Sequence, residues 1–429
     1  VKNQKSLNLL FTANGISGFA QGISMLAIPW YFTKNHSGTY FNISYGISTA
    51  IVLFFGLYAG SLVDRFSRKA NFLVANLVCG LLIFAVATAG FINNGLSDFY
   101  VMAVFTITML NFNIHYPTLY AFGHEITEPE HYNRVNANIE VVGQSISIVS
   151  GAVAALLIEG VAEGKGTLFG FQVNMPFGIR RWEIWEIFMI NAMTYFITTG
   201  LVMMIRYTPV KHVNVEFGNV WRRIGSGFLY LKEHPLFMIF GLFSYSVFAM
   251  LMVELHAVLP GYVERHLDEH GSVFAAADLV YAVGALSAGL FVNRVFSGTN
   301  PVKAVIILTW ITAGIFFWAF AGRSVFVLYS ISLILGFANA GIRVLRLTYL
   351  FNHIPNELMG RVNSIFNMVN VLVRTLFIFL FSAPFFTFGN HSIWAFLVMS
   401  VFLVISAAVL MVNYGKLNAR PGELLNYQR

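Results

Sequence analysis

The chain is 429 residues long, 57% apolar and only 10% charged, with a mean hydropathy of +0.70 and a net charge of +7. Soluble domains carry roughly 25% charged residues, so this chain cannot clothe itself in polar surface, and a soluble fold is excluded. A single cysteine, Cys79, excludes an intrachain disulfide, a thiolate metal cluster and CxxC redox chemistry, and the basic residues are scattered through short segments rather than gathered into a nucleic-acid surface.

Apolar runs broken by Gly, Pro and charge recur along the whole chain, each near the roughly 20 residues that span hydrocarbon. They predict twelve helices, near 7–32, 41–63, 71–92, 98–121, 137–160, 184–206, 235–258, 271–296, 301–322, 324–350, 361–386 and 391–413. An aromatic content of 16%, with 43 Phe, suits such helices better than the alternation of a membrane barrel. The first run carries Asn14, Gln21 and Pro29 and has no small-residue cleavage site, so it reads as a working span rather than a removable signal. With the first segment cytoplasmic, inside segments and the helix ends beside them collect 19 of the 26 Lys and Arg, while outside segments collect 6. Arg374 stays within a span. Both termini are therefore expected in the cytoplasm of a cell bounded by this inner membrane.

The longest inside segment divides the spans six and six, giving an N-terminal bundle at 1–206, a linker at 207–234 and a C-terminal bundle at 235–429. In the linker Phe217, Trp221, Ile224, Phe228 and Leu231 recur at helical spacing with Arg222 and Arg223 on another face, as in a helix lying on a membrane surface. The outside segment 161–183 is long and Gly-rich, and nothing in it identifies a ligand. Internal repetition is more informative. "NFNIH" at 111–115 matches "NAGIR" at 339–343, and "HYNRVNANIEVV" at 131–142 matches "LMGRVNSIFNMV" at 358–369, with Arg134-Val135-Asn136 on Arg361-Val362-Asn363. Two parallel copies of a six-helix bundle are expected, arranged so that one half rocks against the other around a central path.

Between the second and third spans stands "GSLVDRFSRK". It resembles the loop signature of the major facilitator superfamily, G-x-L-x-D-R-x-x-R-K, with Gly60, Leu62, Asp64, Arg65, Arg68 and Lys69 at its positions and Ser67 where a Gly is usual. A weaker second copy, "GALSAGLFVNR", ends in Asn293-Arg294. With "IPWYF" closing span one and "NRVNA" opening span five, the chain is most similar to the drug, macrolide and siderophore efflux branch. The resemblance implies an all-α membrane fold of twelve helices in two pseudo-symmetric bundles. In that reading Arg65, Arg68 and Lys69 anchor the loop by charge, and Asp64 latches a helix N-terminus in one state and releases it in the other. Arg134 and Arg361, in the repeated "RVN" segments, belong to the same gating set.

Ionisable groups inside spans cost at least about 2.5–3.5 kcal/mol on insertion scales, so each needs a partner, water or a task. The spans hold three acids, Glu140, Glu254 and Asp278, and three arginines, Arg343, Arg346 and Arg374. Span eleven carries Asn363, Asn367, Asn370 and Arg374 as one stripe, matched through the repeat by Asn136, Glu140, Gly143 and Ser147. Helix-to-helix hydrogen bonding accounts for asparagines of this kind; a mid-span arginine points further, to an anionic or polar solute group. Span ten puts Asn339, Arg343 and Arg346 on one face, equivalent to Asn111 and His115 on span four. Arg346 can snorkel to headgroups, whereas the polar repeat partner His115 favours a cavity role for Arg343. Asn14 and Gln21 on span one complete the expected solute-contacting set, beside Gly15, Gly18 and Gly22. Glu254 and His256 point to opposite sides of an α-helix. Glu254, Asp278 and Glu140 are the candidate proton carriers, with His115 as their rival.

No P-loop, paired metal ligands or nucleophile constellation stands out, so neither an enzyme nor a cofactor is expected. The leading expectation is a monomeric secondary transporter that exports an amphipathic organic solute in exchange for protons, in contact with membrane lipid and no nucleic acid. Alternatives are movement of an anionic solute such as a siderophore or lysolipid, held by Arg374 and Arg343, and a non-transporting receptor on the same fold.

Overall fold

The computed structural model describes residues 3–161, 164–206 and 220–418; the side chains at 60–64, 133, 164–168, 173, 175, 220–223 and 356–357 lie outside the described set. Two expectations fall there: the Asp64 latch with its neighbour Gly60, and the apolar face of the linker at Phe217 and Trp221.

In chain order, α1 (Gln4–Lys34), α2 (Gly38–Arg65), α3 (Arg68–Asn93), α4 (Asp98–Glu125) and α5 (Tyr132–Glu159) precede an antiparallel hairpin of β1 (Gly164–Leu168) and β2 (Phe171–Met175). After α6 (Ile184–Met203) come α7 (Val220–Glu233), α8 (Pro235–Ser244), α9 (Ser246–Val253) and the single turn α10 (Leu259–Gly261). The chain continues through α11 (Gly271–Val295), α12 (Pro301–Ala321), α13 (Val325–His353) and α14 (Asn356–Phe381) to α15 (Pro384–Thr387), α16 (Ser392–Val412) and α17 (Tyr414–Leu417). All twelve expected spans fall on helices. Among the described residues ten helical segments are both long and apolar enough to cross a membrane. The spans that fall short on composition are α1, which carries Asn14 and Gln21, and α4, which carries Asn111, Asn113 and His115. Both of these less apolar spans hold candidate site residues.

The chain divides into two compact units, one of Val1–Phe217 with Glu269–Leu279, the other of Gly218–Asp268 with Val280–Arg429. In the first, α6 packs against α1 and α3, α5 against α1, and α4 against α2 and α3. Close approach requires missing side chains: a Cβ at Gly90 would lie 2.4 Å from Trp185, and one at Gly80 3.0 Å from Tyr195. An apolar plug of Leu7, Leu10, Phe72, Leu119, Phe122 and Val202 fills the end where α1 begins and α4 and α6 finish.

The same plug end shows what the charges of the loop signature do. Arg68 Nε donates to Glu125 Oε1 at 3.1 Å, tying the start of α3 to the end of α4. Lys69 Nζ donates to the carbonyls of Met203 and Ile205 at 2.8 and 2.9 Å, where α6 ends and its last carbonyls lack intrahelical partners. Arg65 stays exposed beside the Phe66 ring.

In the second unit α12 packs between α13 and α16, and α7 lies along α14. The α7 contact runs through Gly227, which touches Ile365 and Arg361, and through Arg361 Nη1, which donates to Ser226 Oγ at 3.2 Å. Leu231 is buried and Phe228 exposed, so the apolar residues of α7 are divided between α14 and the surroundings. The tightest crossing is that of α11 and α13. A Cβ at Gly284 would lie 2.1 Å from the Leu333 carbonyl, and one at Gly336 2.1 Å from that of Tyr281, with Ala285, Ala288 and Ala340 around them. Small residues let two backbones meet where apolar surroundings supply no hydrophobic drive. Gly336→Val should therefore separate the pair and cost about 1–3 kcal/mol, seen as a lower thermal unfolding midpoint in detergent, while Gly314→Val, which meets nothing within 4 Å, should leave it unchanged.

Candidate functional site

The second unit builds its polar centre around a helix that is not continuous. The expected seventh span is divided into α8 and α9 at Tyr245, and further on two π turns, Glu254–Val258 and Tyr262–His266, flank α10. Pro260 accounts for the second disturbance, since it lacks an N–H and its ring displaces the carbonyl four residues earlier. At Tyr245 no Pro or Gly intervenes, and side chains hold the break instead. The Ser244 carbonyl accepts from Arg346 Nη1 at 3.1 Å, and the Tyr245 carbonyl accepts from Asn370 Nδ2 at 3.1 Å. The Tyr245 hydroxyl donates to Asn363 Oδ1 at 2.9 Å, and the Arg346 guanidinium lies 3.5 Å from the centre of the Tyr245 ring. Irregular backbone at membrane depth survives only where its carbonyls find such partners. The snorkelling expected of Arg346 is therefore corrected: it is 4% exposed, because its charge is used on the ring and the broken helix.

The asparagine stripe of α14 thus splits by task. Asn363 and Asn370 bind Tyr245, and Asn367 is exposed. Arg374, at the end of the stripe, is 9% exposed, and its Nε is wholly buried without a partner. Among the described residues no acceptor or carboxylate is bonded to it. The first π turn packs against the same helix. That turn begins at Glu254, 4% exposed, and brings His256 within electrostatic reach of Arg374 while His256 Nδ1 lies 3.3 Å from the Met252 carbonyl. The wider π turn also replaces the α-helical geometry that set Glu254 and His256 on opposite sides. On α13, Asn339 Nδ2 donates to the Tyr281 hydroxyl at 2.9 Å, and Arg343 is exposed.

In the first unit, His115 Nε2 and Asn14 Oδ1 are 2.9 Å apart, joining α4 to α1, and Phe72 packs edge-on against the imidazole. Asn111 Nδ2 donates to the Tyr195 hydroxyl at 3.2 Å, while Gln21 is buried with its Nε2 unpartnered. Glu140 Oε1 accepts from the Tyr120 hydroxyl at 2.6 Å, and Asp278 Oδ2 accepts from Ser147 Oγ at 3.3 Å. Asn136 Oδ1 lies 2.8 Å from His124 Nε2, and Arg134 is exposed. Outside the membrane-spanning segments, the hydrogen bond to Glu186 raises the pKa of Arg180, pinning the hairpin's return to the start of α6.

Sequence reasoning missed Tyr245, Tyr281, Glu125 and the fully buried Asn76 and Asn191. The last two were the most accessible to it, since an asparagine inside an apolar span is as costly as the ones it selected. Tyr245 carried no local signal, because its importance comes from three residues more than 100 positions away.

A model of the Major Facilitator Superfamily matches residues 10–378. No curated protein matches the sequence. Solved structures share the fold at low identity. A bacterial homologue of the human lysosomal transporter Spinster, inward-facing and occupied, superposes with a TM-score of 0.72 at 12% identity, over 98% of this chain and 99% of that one. The nucleoside transporter NupG gives 0.67 at 13% identity over 96% and 99%, and a D-xylose–proton symporter 0.68 at 12% over 95% and 97%.

Removing the Arg346 side chain as Arg346→Leu leaves the Ser244 carbonyl unpartnered and should cost about 1–3 kcal/mol in detergent unfolding. Arg346→Lys should recover only part of this, because an ammonium cannot stack its plane on Tyr245 while reaching the carbonyl.

Proposed function

The chain belongs to the major facilitator superfamily, and we propose that it is a secondary transporter working by alternating access on an organic solute that bears an acidic group. The observation that carries this reading is Arg374: a guanidinium 9% exposed, in the middle of a span, with no hydrogen-bond or ion-pair partner among the described residues. Insertion scales put the cost of such a charge at about 2.5–3.5 kcal/mol, and a solute carboxylate or phosphate offsets it with charge-assisted hydrogen bonds. Asn370, one turn earlier, keeps its Oδ1 unpartnered and can accept from a hydroxyl or amide on the same solute. Arg343 and the first-unit group of Asn14, Gln21, Asn111 and His115 complete the contacting set.

Transport is outward and driven by proton exchange in this reading, through Glu254 on the π turn and with Asp278 and Glu140 as secondary carriers. Glu254 lies on the π turn packed against the helix of Arg374, and taking up or releasing a proton there changes the local charge, so that solute binding and proton binding are linked. The inner membrane, with both termini cytoplasmic, is the proposed setting. Support for export comes from the loop signature and the span-one and span-five segments; support for an acidic solute comes from Arg374.

Two measurements test the proposal. In proteoliposomes offered organic acids and their neutral amides, Arg374→Ala should weaken binding of the acids about 10- to 150-fold, the range of a charged hydrogen bond worth about 1.5–3 kcal/mol, and leave the amides unaffected. Equal loss for both would remove the anion contact, and binding without flux in the native protein would favour a receptor. Glu254→Gln should abolish accumulation driven by an imposed pH gradient while solute exchange at equal pH continues; normal accumulation would exclude it as the essential carrier.

A further inference from the structure

The first unit has a second concave site, whose lining includes Asn111 of the residues assigned above. A cavity of about 390 Å³ lies among α2, α3 and α4, within the roughly 300–1,000 Å³ typical of sites for small molecules. Its open edge is a ridge on α3, where Val74, Val78 and Leu82 follow at i, i+4 and i+8 and are 62%, 48% and 47% exposed. Ile107, Leu110 and Ile114 of α4, Phe55 of α2 and Phe66 just after it complete the lining. The lining is apolar almost throughout. A groove of this composition on helices that cross a membrane opens to hydrocarbon, not water.

Its dimensions and charge select the occupant. From Ala70 to Leu82 the α3 wall rises about 18 Å at 1.5 Å per residue, close to the depth of one leaflet, half of a hydrocarbon core about 30 Å thick. The groove therefore runs lengthwise, as an acyl chain does. At the loop end, Phe66 both lines the cavity and carries the Arg65 guanidinium 5.7 Å from its ring centre. Arg65 is exposed at the end of α2. A positive group at headgroup depth, above a chain-length apolar slot, suits a negatively charged phospholipid.

We propose that the α2–α3–α4 groove is a binding site for one anionic phospholipid, with an acyl chain along Val74, Val78 and Leu82 and the phosphate headgroup at Arg65. The groove shares Asn111 with the first-unit solute contacts, and the proposal does not depend on the acidic-solute reading. A lipid seated there packs between α2 and α3, on either side of the loop that joins them, and so holds the two helix ends in one spacing.

The test is native mass spectrometry of the full-length protein released from detergent containing phosphatidylglycerol or phosphatidylcholine with identical chains. The native protein should retain one phosphatidylglycerol in preference to phosphatidylcholine. Arg65→Gln should reduce that preference roughly fivefold, the size of one basic contact to an anionic surface. Val78→Trp, which fills the groove from an exposed position, should lose the bound lipid, whereas Leu290→Trp, also at an exposed position, on α11, should keep it. Circular dichroism and monodisperse elution establish that each variant is folded. Equal retention of the two lipids by the native protein would overturn the headgroup contact, and undiminished retention by Val78→Trp would overturn the groove.

Discussion

In hydrocarbon every backbone carbonyl released from a helix must be given another partner inside the protein. The organisation of the second unit follows from meeting that requirement at Tyr245. The Ser244 carbonyl is released and Arg346 takes it, while the Tyr245 carbonyl, which accepts from the Ala249 N–H, accepts a second bond from Asn370. Asn363 and the Arg346 plane then fix the Tyr245 ring. Three polar side chains, Arg346, Asn363 and Asn370, that look from their spans like candidates for one solute-binding surface are in part committed to keeping a broken helix intact. What remains after those commitments is more specific than the stripe it came from: Arg374 and one oxygen of Asn370.

The repeat sharpens this asymmetry. Asn136 and Asn363 occupy equivalent places, yet the first is bonded to His124 and the second to Tyr245. Ser147 stands where Arg374 does in the other copy, and it is satisfied by Asp278. His115 corresponds to Arg343; the former is buried against Asn14 and the latter exposed. A shared backbone plan has thus been filled with different chemistry in its two copies, so equivalence of position does not carry equivalence of role. The cation without a partner is on one side of the repeat only.

Much of this was legible in the sequence, for identifiable reasons. Spans are set by the length of apolar runs, and all twelve expected stretches lie on helices, ten of which among the described residues are long and apolar enough to cross a membrane. Span seven was expected to end at 258, before Pro260, whereas the helix continues past that proline to His266 through the second π turn. The break at Tyr245 was not legible, because "SYS" has no unusual local conformation to declare; its cause lies in side chains of α13 and α14 that meet it only after folding. The same reason concealed Lys69 as the partner of α6, whose carbonyls belong to a segment more than 130 residues later. Arg346 misled because a long basic side chain near a helix end ordinarily reaches outward, and only the Tyr245 ring makes the inward course favourable.

The charges of the loop signature illustrate how one stretch serves several requirements at once. A lysine bonded to two carbonyls and an arginine bonded to a carboxylate still count as positive during membrane insertion, so topology and helix-end bonding do not compete for them. Once folded, however, Arg68 and Lys69 are directed inward, to α4 and α6, and their reach to a headgroup is curtailed. Arg65, exposed at the end of α2 and stacked near Phe66, lies at the mouth of the apolar groove. The basic residues of the signature are therefore divided in direction: Arg68 and Lys69 tie helix ends of the first unit together, and Arg65 lies exposed beside Phe66.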